Sequence, residues 1–111
     1  MKEKVNVYLF WGNGCPHCEI AKFFLKKLSK EYGEYFNLVE KEVWDHPENE
    51  ELLNKIANHF GKPADTVPYI VIGNDVFGVV HKKSIQDEIV ASIKKHYDDS
   101  NYEDEVALLS K

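Results

Sequence analysis

Cys15 and Cys18 are the only cysteines of this 111-residue chain, and they stand three apart in Cys15-Pro16-His17-Cys18. A thiolate is the species that attacks a disulfide. A helix N-terminus favours one by supplying unpaired N–H groups and the positive end of a dipole. Cys15 sits where that field is strongest, and Cys18, one turn on and deeper, is placed to resolve a mixed disulfide. Pro16 suits a first turn because its missing N–H would have had no helical partner there. His17 can bring a protonated imidazole or a donor to the Cys15 sulfur, which stabilises the reduced form and makes the couple more oxidising. For a two-electron couple roughly 30 mV corresponds to about 1.4 kcal/mol, so one such interaction matters. A plain surface histidine is the other reading of His17, and the choice turns on a rotamer.

The same cysteine spacing also serves as half of a zinc knuckle, which needs two further ligands. There is no second cysteine pair, and His46, His59, His81 and His96 are scattered without ligand spacing. No metal is expected, and no cofactor beyond the redox-active disulfide itself. Two cysteines also argue against a disulfide-stapled secreted scaffold.

A second feature lies far along the chain at Thr66-Val67-Pro68-Tyr69. A proline directly before an apolar strand holds the preceding residue extended. If the Val67-Pro68 bond is cis it makes a tight corner, and a corner beside the dithiol would leave the backbone groups of Val67 free to pair with a substrate peptide by strand addition; an ordinary trans proline at a strand start is the other reading.

The elements that must position these residues are readable from period and punctuation. Val5 to Phe10 is a short apolar strand ending at the turn cluster Trp11-Gly12-Asn13-Gly14. Pro16 to Tyr32 carries apolar residues at helical spacing, with Ile20, Phe24 and Leu28 beside Ala21, Leu25 and Tyr32, and Gly33 stops it. Phe36 to Val43 alternates as a strand with a solvated end. Asp45, with Pro47 and Glu48, opens a second helix bearing Leu52, Leu53, Ile56, Ala57 and Phe60, and Gly61-Lys62-Pro63 closes it. Tyr69 to Ile72 and Val76 to His81, joined by Gly73-Asn74-Asp75 and interrupted at Gly78, read as a hairpin. Ser84 with Asp87 resembles a capping box for a last helix striped by Ile85, Ile89, Val90, Ile93 and Tyr97. The order is β-α-β-α-β-β-α over residues 1–97, and residues 98–111 read as an acidic, solvated C-terminal tail. Phe23, Phe24, Phe36 and Phe60 are assigned to the core.

Apolar residues at 43% and charged residues at 30% describe an ordinary globular domain. No apolar run approaches the roughly 20 residues that span a bilayer. Met1-Lys2-Glu3-Lys4 is followed by too short an apolar run for a signal peptide, which places the chain, as written, in the cytoplasm. A trimmed leader or membrane segment would leave the same text and place it outside. The net charge of -5 gathers in the last segment, where Asp98, Asp99, Glu103, Asp104 and Glu105 face Lys111 alone. All fourteen basic residues are lysine, so the bidentate forks that read phosphate and base edges are missing and nucleic acid is not an expected partner.

From Val5 to about Tyr97 the chain resembles a thioredoxin-superfamily domain. Phe10-Trp11-Gly12-Asn13-Gly14-Cys15 is similar to the approach to the dithiol in thioredoxins, Cys15-Pro16-His17-Cys18 resembles the active-site sequence of DsbA-like oxidases, and Thr66-Val67-Pro68 resembles the cis-proline loop of glutaredoxins. The resemblance implies an α/β thioredoxin fold, a four-stranded mixed sheet flanked by helices. It also implies Cys15 as nucleophile, Cys18 as resolving thiol and Pro68 as the cis-proline. In that fold Trp11 and Tyr69 would flank the dithiol as an apolar platform for substrate, or serve as core packing. Leu9 stands where thioredoxins carry a buried carboxylate, leaving Glu19 or water to take the proton of the resolving thiol. Gly78-Val79-Val80-His81 departs from the Gly-Gly and Asp stretch with which glutaredoxins hold glutathione. No helical insertion of the DsbA type fits between Val43 and Pro47. The implied function is a thiol-disulfide oxidoreductase exchanging disulfides with protein substrates, as a monomer, with a redox partner that the sequence does not identify. Two other readings stand beside it: a redox relay domain cut from a larger membrane-anchored protein, and a binding module with zinc or a static disulfide.

Overall fold

The strand nearest the dithiol is flanked on both sides. In the computed structural model, which describes residues 3–111, the elements are β1 (Val5–Trp11), α1 (Pro16–Glu31), β2 (Phe36–Glu42), α2 (Pro47–Phe60), β3 (Tyr69–Ile72), β4 (Asp75–Phe77), α3 (Lys83–Asp98) and α4 (Glu105–Leu109). The sheet order is β2-β1-β3-β4. β1 runs parallel to β2, from Val5 opposite Phe36 to Trp11 opposite Glu42, and antiparallel to β3, which itself pairs antiparallel with β4. The expected four-stranded mixed sheet of a thioredoxin-like fold is therefore present.

Alternation along the strands sends side chains to two faces. Val5, Val7 and Leu9 of β1 join Ile70 and Ile72 of β3 in a core covered by α1 and α3, through Ala21, Leu25, Leu28, Ile89 and Ile93. Tyr8 and Phe10 join Tyr69 and Val71 on the other face, under Leu53 and Ile56 of α2. Leu9 is fully buried in the first of these cores.

Several sequence expectations are corrected. Phe23, assigned to the core, is 75% exposed. The buried stripe of α1 is Cys18, Ala21, Leu25 and Leu28, and at about 100° per residue Phe23 points roughly 200° away from Ala21. The second hairpin strand stops at Phe77 rather than His81: the register Ile70 opposite Phe77 brings Gly78 level with Tyr69, the first residue of β3, and Val79 level with Pro68, where β3 has run out. Ser84 does not cap α3. The N-cap is Lys82, with no side-chain bond, and Asp87 instead pairs with Lys83 at 2.9 Å. At α2 the N-cap is His46 rather than Asp45.

The largest correction concerns residues 98–111. Instead of a solvated tail, this segment folds back over the second face and ends in α4, with Val106 buried among Tyr8, Phe10 and Ile56. β1 pairs with β3 only from Val7 onward, which leaves the N–H of Asn6 without a ladder partner, and it donates to the hydroxyl of Tyr102 (3.1 Å). Asp104 accepts from Asn6 Nδ2 and from the Tyr8 hydroxyl, both at 2.7 Å, and caps α4 through the N–H of Ala107 (3.0 Å). Burial, and then the Asp104 carboxylate, push the Tyr8 phenol well above its ordinary range.

Candidate active site

The loop from β1 into α1 is tight. Cys15 N–H donates to Gly12 O at 3.1 Å, Gly14 takes φ +90°, and Cys15 itself is the N-cap of α1. Its sulfur accepts the N–H of Cys18 at 3.2 Å, doing for the helix what a serine or aspartate oxygen does elsewhere. Pro16 occupies the first turn as expected. Both cysteines are free thiols.

The two thiols differ in setting. Cys18 is fully buried against the first core, whereas Cys15 keeps 6% of its surface open. Burial, followed by the hydrogen bond to the Cys15 sulfur, pushes the Cys18 thiol up to about 12, and a backbone hydrogen bond from Gly12 offsets only part of this. Glu19, the residue expected to take its proton, is exposed and acts on Cys18 only through space, as the smallest contribution.

The Thr66–Tyr69 corner meets the dithiol from the opposite side. The Val67-Pro68 bond is cis, Pro68 is buried, and the Cys15 thiol lies 3.8 Å from Val67 O as a donor. Residues 52 positions apart are thus brought together. The two aromatic residues expected to flank the dithiol differ in exposure, Tyr69 being buried and Trp11 half-buried. Tyr69 is 4% exposed, edge-on to Phe10, with its hydroxyl donating to Lys62 O (3.0 Å), which is the core-packing arrangement. Trp11 packs against the first core, and its ring is covered by the ammonium of Lys22, 3.6 Å from the centroid.

The open aromatic is Trp44, which sequence reasoning passed over. It is 56% exposed and lies flat over Gly12, where a Cβ would come within 2.2 Å of the ring. Glycine is the residue that admits this approach. The loop carrying Trp44 is held by Glu42, which accepts from the N–H groups of Asn13 (2.8 Å), Trp44 (3.1 Å) and Asp45 (2.7 Å) and from His46 Nδ1 (2.9 Å). One carboxylate therefore ties the approach to Cys15 to the β2–α2 loop. Burial opposes its charge, but the hydrogen bonds from His46, Asn13, Asp45 and Trp44 outweigh it and bring its pKa from 4.5 down to about 2. The bond from Glu42 in turn raises His46 from its ordinary 6.5.

These shifts fix a pH window. A lowered carboxyl stabilises the fold above 4.5 and stops doing so as pH falls towards 2. A raised histidine stabilises it below 6.5 and stops as pH rises past its folded value. Glu42→Gln is therefore expected to lower the urea midpoint most between pH 4.5 and 6.5 and to flatten its fall towards pH 2. A pH profile parallel to that of the unaltered protein would contradict the clamp.

Trp44, Leu53, Val67 and Val79 line a groove of about 520 Å³ beside the dithiol, together with the carboxylates of Glu50 and Asp65 and the ring of His17. His17 is exposed, and its Nδ1 lies 2.8 Å from His81 Nε2. Among the described residues no group of three or more His, Cys, Asp or Glu converges to hold a metal ion, and no helix is long and apolar enough to cross a membrane.

A family model described as glutaredoxin matches residues 7–77, well over half of the chain. Among solved structures, an Agrobacterium tumefaciens structural-genomics protein superposes with a TM-score of 0.65 at 19% identity, over 86% of this chain and 48% of that one, so the chain spans about half of its length. Glutaredoxin 1 of Francisella tularensis, solved with cacodylate, gives 0.56 at 24% identity, over 78% of this chain and 98% of that one. An uncharacterized thioredoxin-like protein of Clostridium perfringens gives 0.58 at 22% identity, over 84% and 73%. No curated protein is significantly similar to the chain.

Proposed function

The chain belongs to the glutaredoxin family, and from that premise we propose that it is a dithiol-disulfide oxidoreductase acting on protein substrates through Cys15 and Cys18. One observation carries the reading: a pair of free thiols at the first turn of α1, the outer one capping the helix and facing Val67 O, the inner one buried.

The division of labour follows from those settings. Cys15 is the sulfur a substrate can reach. In the reducing direction its thiolate attacks a substrate disulfide, forming a mixed disulfide and releasing one substrate thiol. Cys18 then loses its proton and attacks the Cys15 sulfur, which frees the second substrate thiol and leaves the Cys15-Cys18 disulfide. The oxidising direction is the reverse. A Cys18 thiol pushed up to about 12 attacks only on deprotonation, so release of the mixed disulfide speeds up with rising pH.

Protein rather than glutathione is favoured by the groove. Its lining is apolar at Trp44, Leu53, Val67 and Val79, and its charged residues are Glu50 and Asp65, which repel the two carboxylates of glutathione. An extended peptide lying along Val67 gains backbone hydrogen bonds and places an apolar side chain against Trp44. Incubating the Cys18→Ser variant with insulin tests this. A covalent adduct between Cys15 and an insulin chain is expected to accumulate, and an adduct formed only with added glutathione would overturn the choice of substrate.

A further inference from the structure

His81 plays no part in the exchange steps, yet its backbone is held in place and its ring meets His17. The backbone on either side is fixed. Val80 is fully buried, its carbonyl accepts Gln86 Nε2 at 2.9 Å, and the Lys82 carbonyl accepts the N–H groups of Ile85 and Gln86, both at 3.1 Å. From that base the imidazole reaches His17 in the first turn of α1, Nε2 to Nδ1 at 2.8 Å, with the rings edge to face at 74°.

A contact of this kind needs one N–H and one lone pair. It survives with one extra proton on the pair and fails with two, because two imidazolium rings have only donors to offer. With one proton the bond is charge-assisted, and such bonds are about twice as strong as neutral ones. An exposed His17 by itself would turn into water. Bonded to His81, its ring is held to one direction from its place between Cys15 and Cys18 in the first turn of α1.

We propose that His81 is a positioning residue of the redox centre, holding His17 through the Nδ1–Nε2 hydrogen bond so that the shared positive charge favours the reduced dithiol. The inference rests on the dithiol-disulfide reading of Cys15 and Cys18. In the exchange concerned, two glutathione thiols become one glutathione disulfide as the Cys15-Cys18 bond takes up two electrons and two protons. Where Cys15 stays a thiolate, one of those protons returns to solvent, and positive charge at His17 favours that outcome.

The test is a redox titration of the full chain in glutathione buffers at fixed pH, with acid trapping and mass readout of the dithiol and disulfide forms. His81→Leu is expected to make half-reduction require about tenfold more reducing buffer, equivalent to about 30 mV for a two-electron couple. His81→Gln, whose carbonyl can still accept, should stay within about threefold of the unaltered protein, and His81→Asn, too short to reach, should follow the leucine variant. In a His17→Leu background the His81 substitutions should have no further effect. A leucine or asparagine variant that titrates like the unaltered protein, or an equal shift without His17, overturns the inference. If leucine impairs folding, the glutamine and asparagine variants decide by the same criteria. An unaltered protein with no reversible two-electron couple would instead overturn the proposed function, which separates the two failures.

Discussion

Cys15→Ser is expected to abolish turnover in insulin reduction or dithiol oxidation, a loss on the order of a thousandfold or more, as for the removal of other covalent nucleophiles. The reason lies in the asymmetry of the pair. Cys18 is fully buried and pushed up to about 12, so it can neither meet a substrate nor offer a thiolate in place of Cys15. The fold should survive, since a serine oxygen is itself a good N-cap and can accept the N–H of Cys18 where the sulfur does now. Loss of activity with an unchanged melting profile is the expected pair of readings. Retained exchange activity would mean that the chemistry resides elsewhere.

Removing residues 101–111 is expected to destabilise the fold by about 2.5–6 kcal/mol, taking a buried valine at about 1.5–3 kcal/mol and one polar group left unsatisfied at about 1–3 kcal/mol, the other freed groups meeting water. The deletion removes Val106 from the second core, the hydroxyl that accepts the Asn6 N–H, and the Asp104 carboxylate that accepts from Tyr8 and Asn6. Against total stabilities of roughly 5–15 kcal/mol this is a large fraction, and the urea midpoint should drop accordingly. A solvated tail would cost no more than about 0.5 kcal/mol, so the same measurement separates the two descriptions. The family match ends at residue 77, before this segment begins.

The elements on which the dithiol depends were legible because each is announced locally. The apolar run of β1, the proline in the first turn of α1 and the apolar β3 after Pro68 need only period and punctuation. Contacts made across the sheet were not legible. The six acidic or amide residues from Asp98 to Glu105 look solvated by composition, whereas the Asn6 N–H that β3 leaves without a ladder partner and the apolar face beside α2 give the segment somewhere to dock. A signal was available in Asp104, which stands three residues before Ala107 as an N-cap to an apolar run. Glu42 read as a strand's solvated end, although its acceptors collect donors from both neighbouring loops. His81 reads in the sequence as one of several scattered histidines because nothing local ties it to His17, 64 positions away. Trp11 and Tyr69 were nominated by nearness to the dithiol, and alternation along β1 and β3 gave both to packing, leaving the open aromatic to Trp44.

The central claim is that Cys15 and Cys18 form one reversible dithiol-disulfide couple, and titrating the unaltered protein against glutathione buffers with mass readout tests it most directly. A single two-electron transition is expected, in which both thiols disappear together and return together, with the midpoint setting whether the protein oxidises or reduces its partners. Two thiols that stay reduced throughout, or that each take up glutathione separately without forming the internal disulfide, would contradict it.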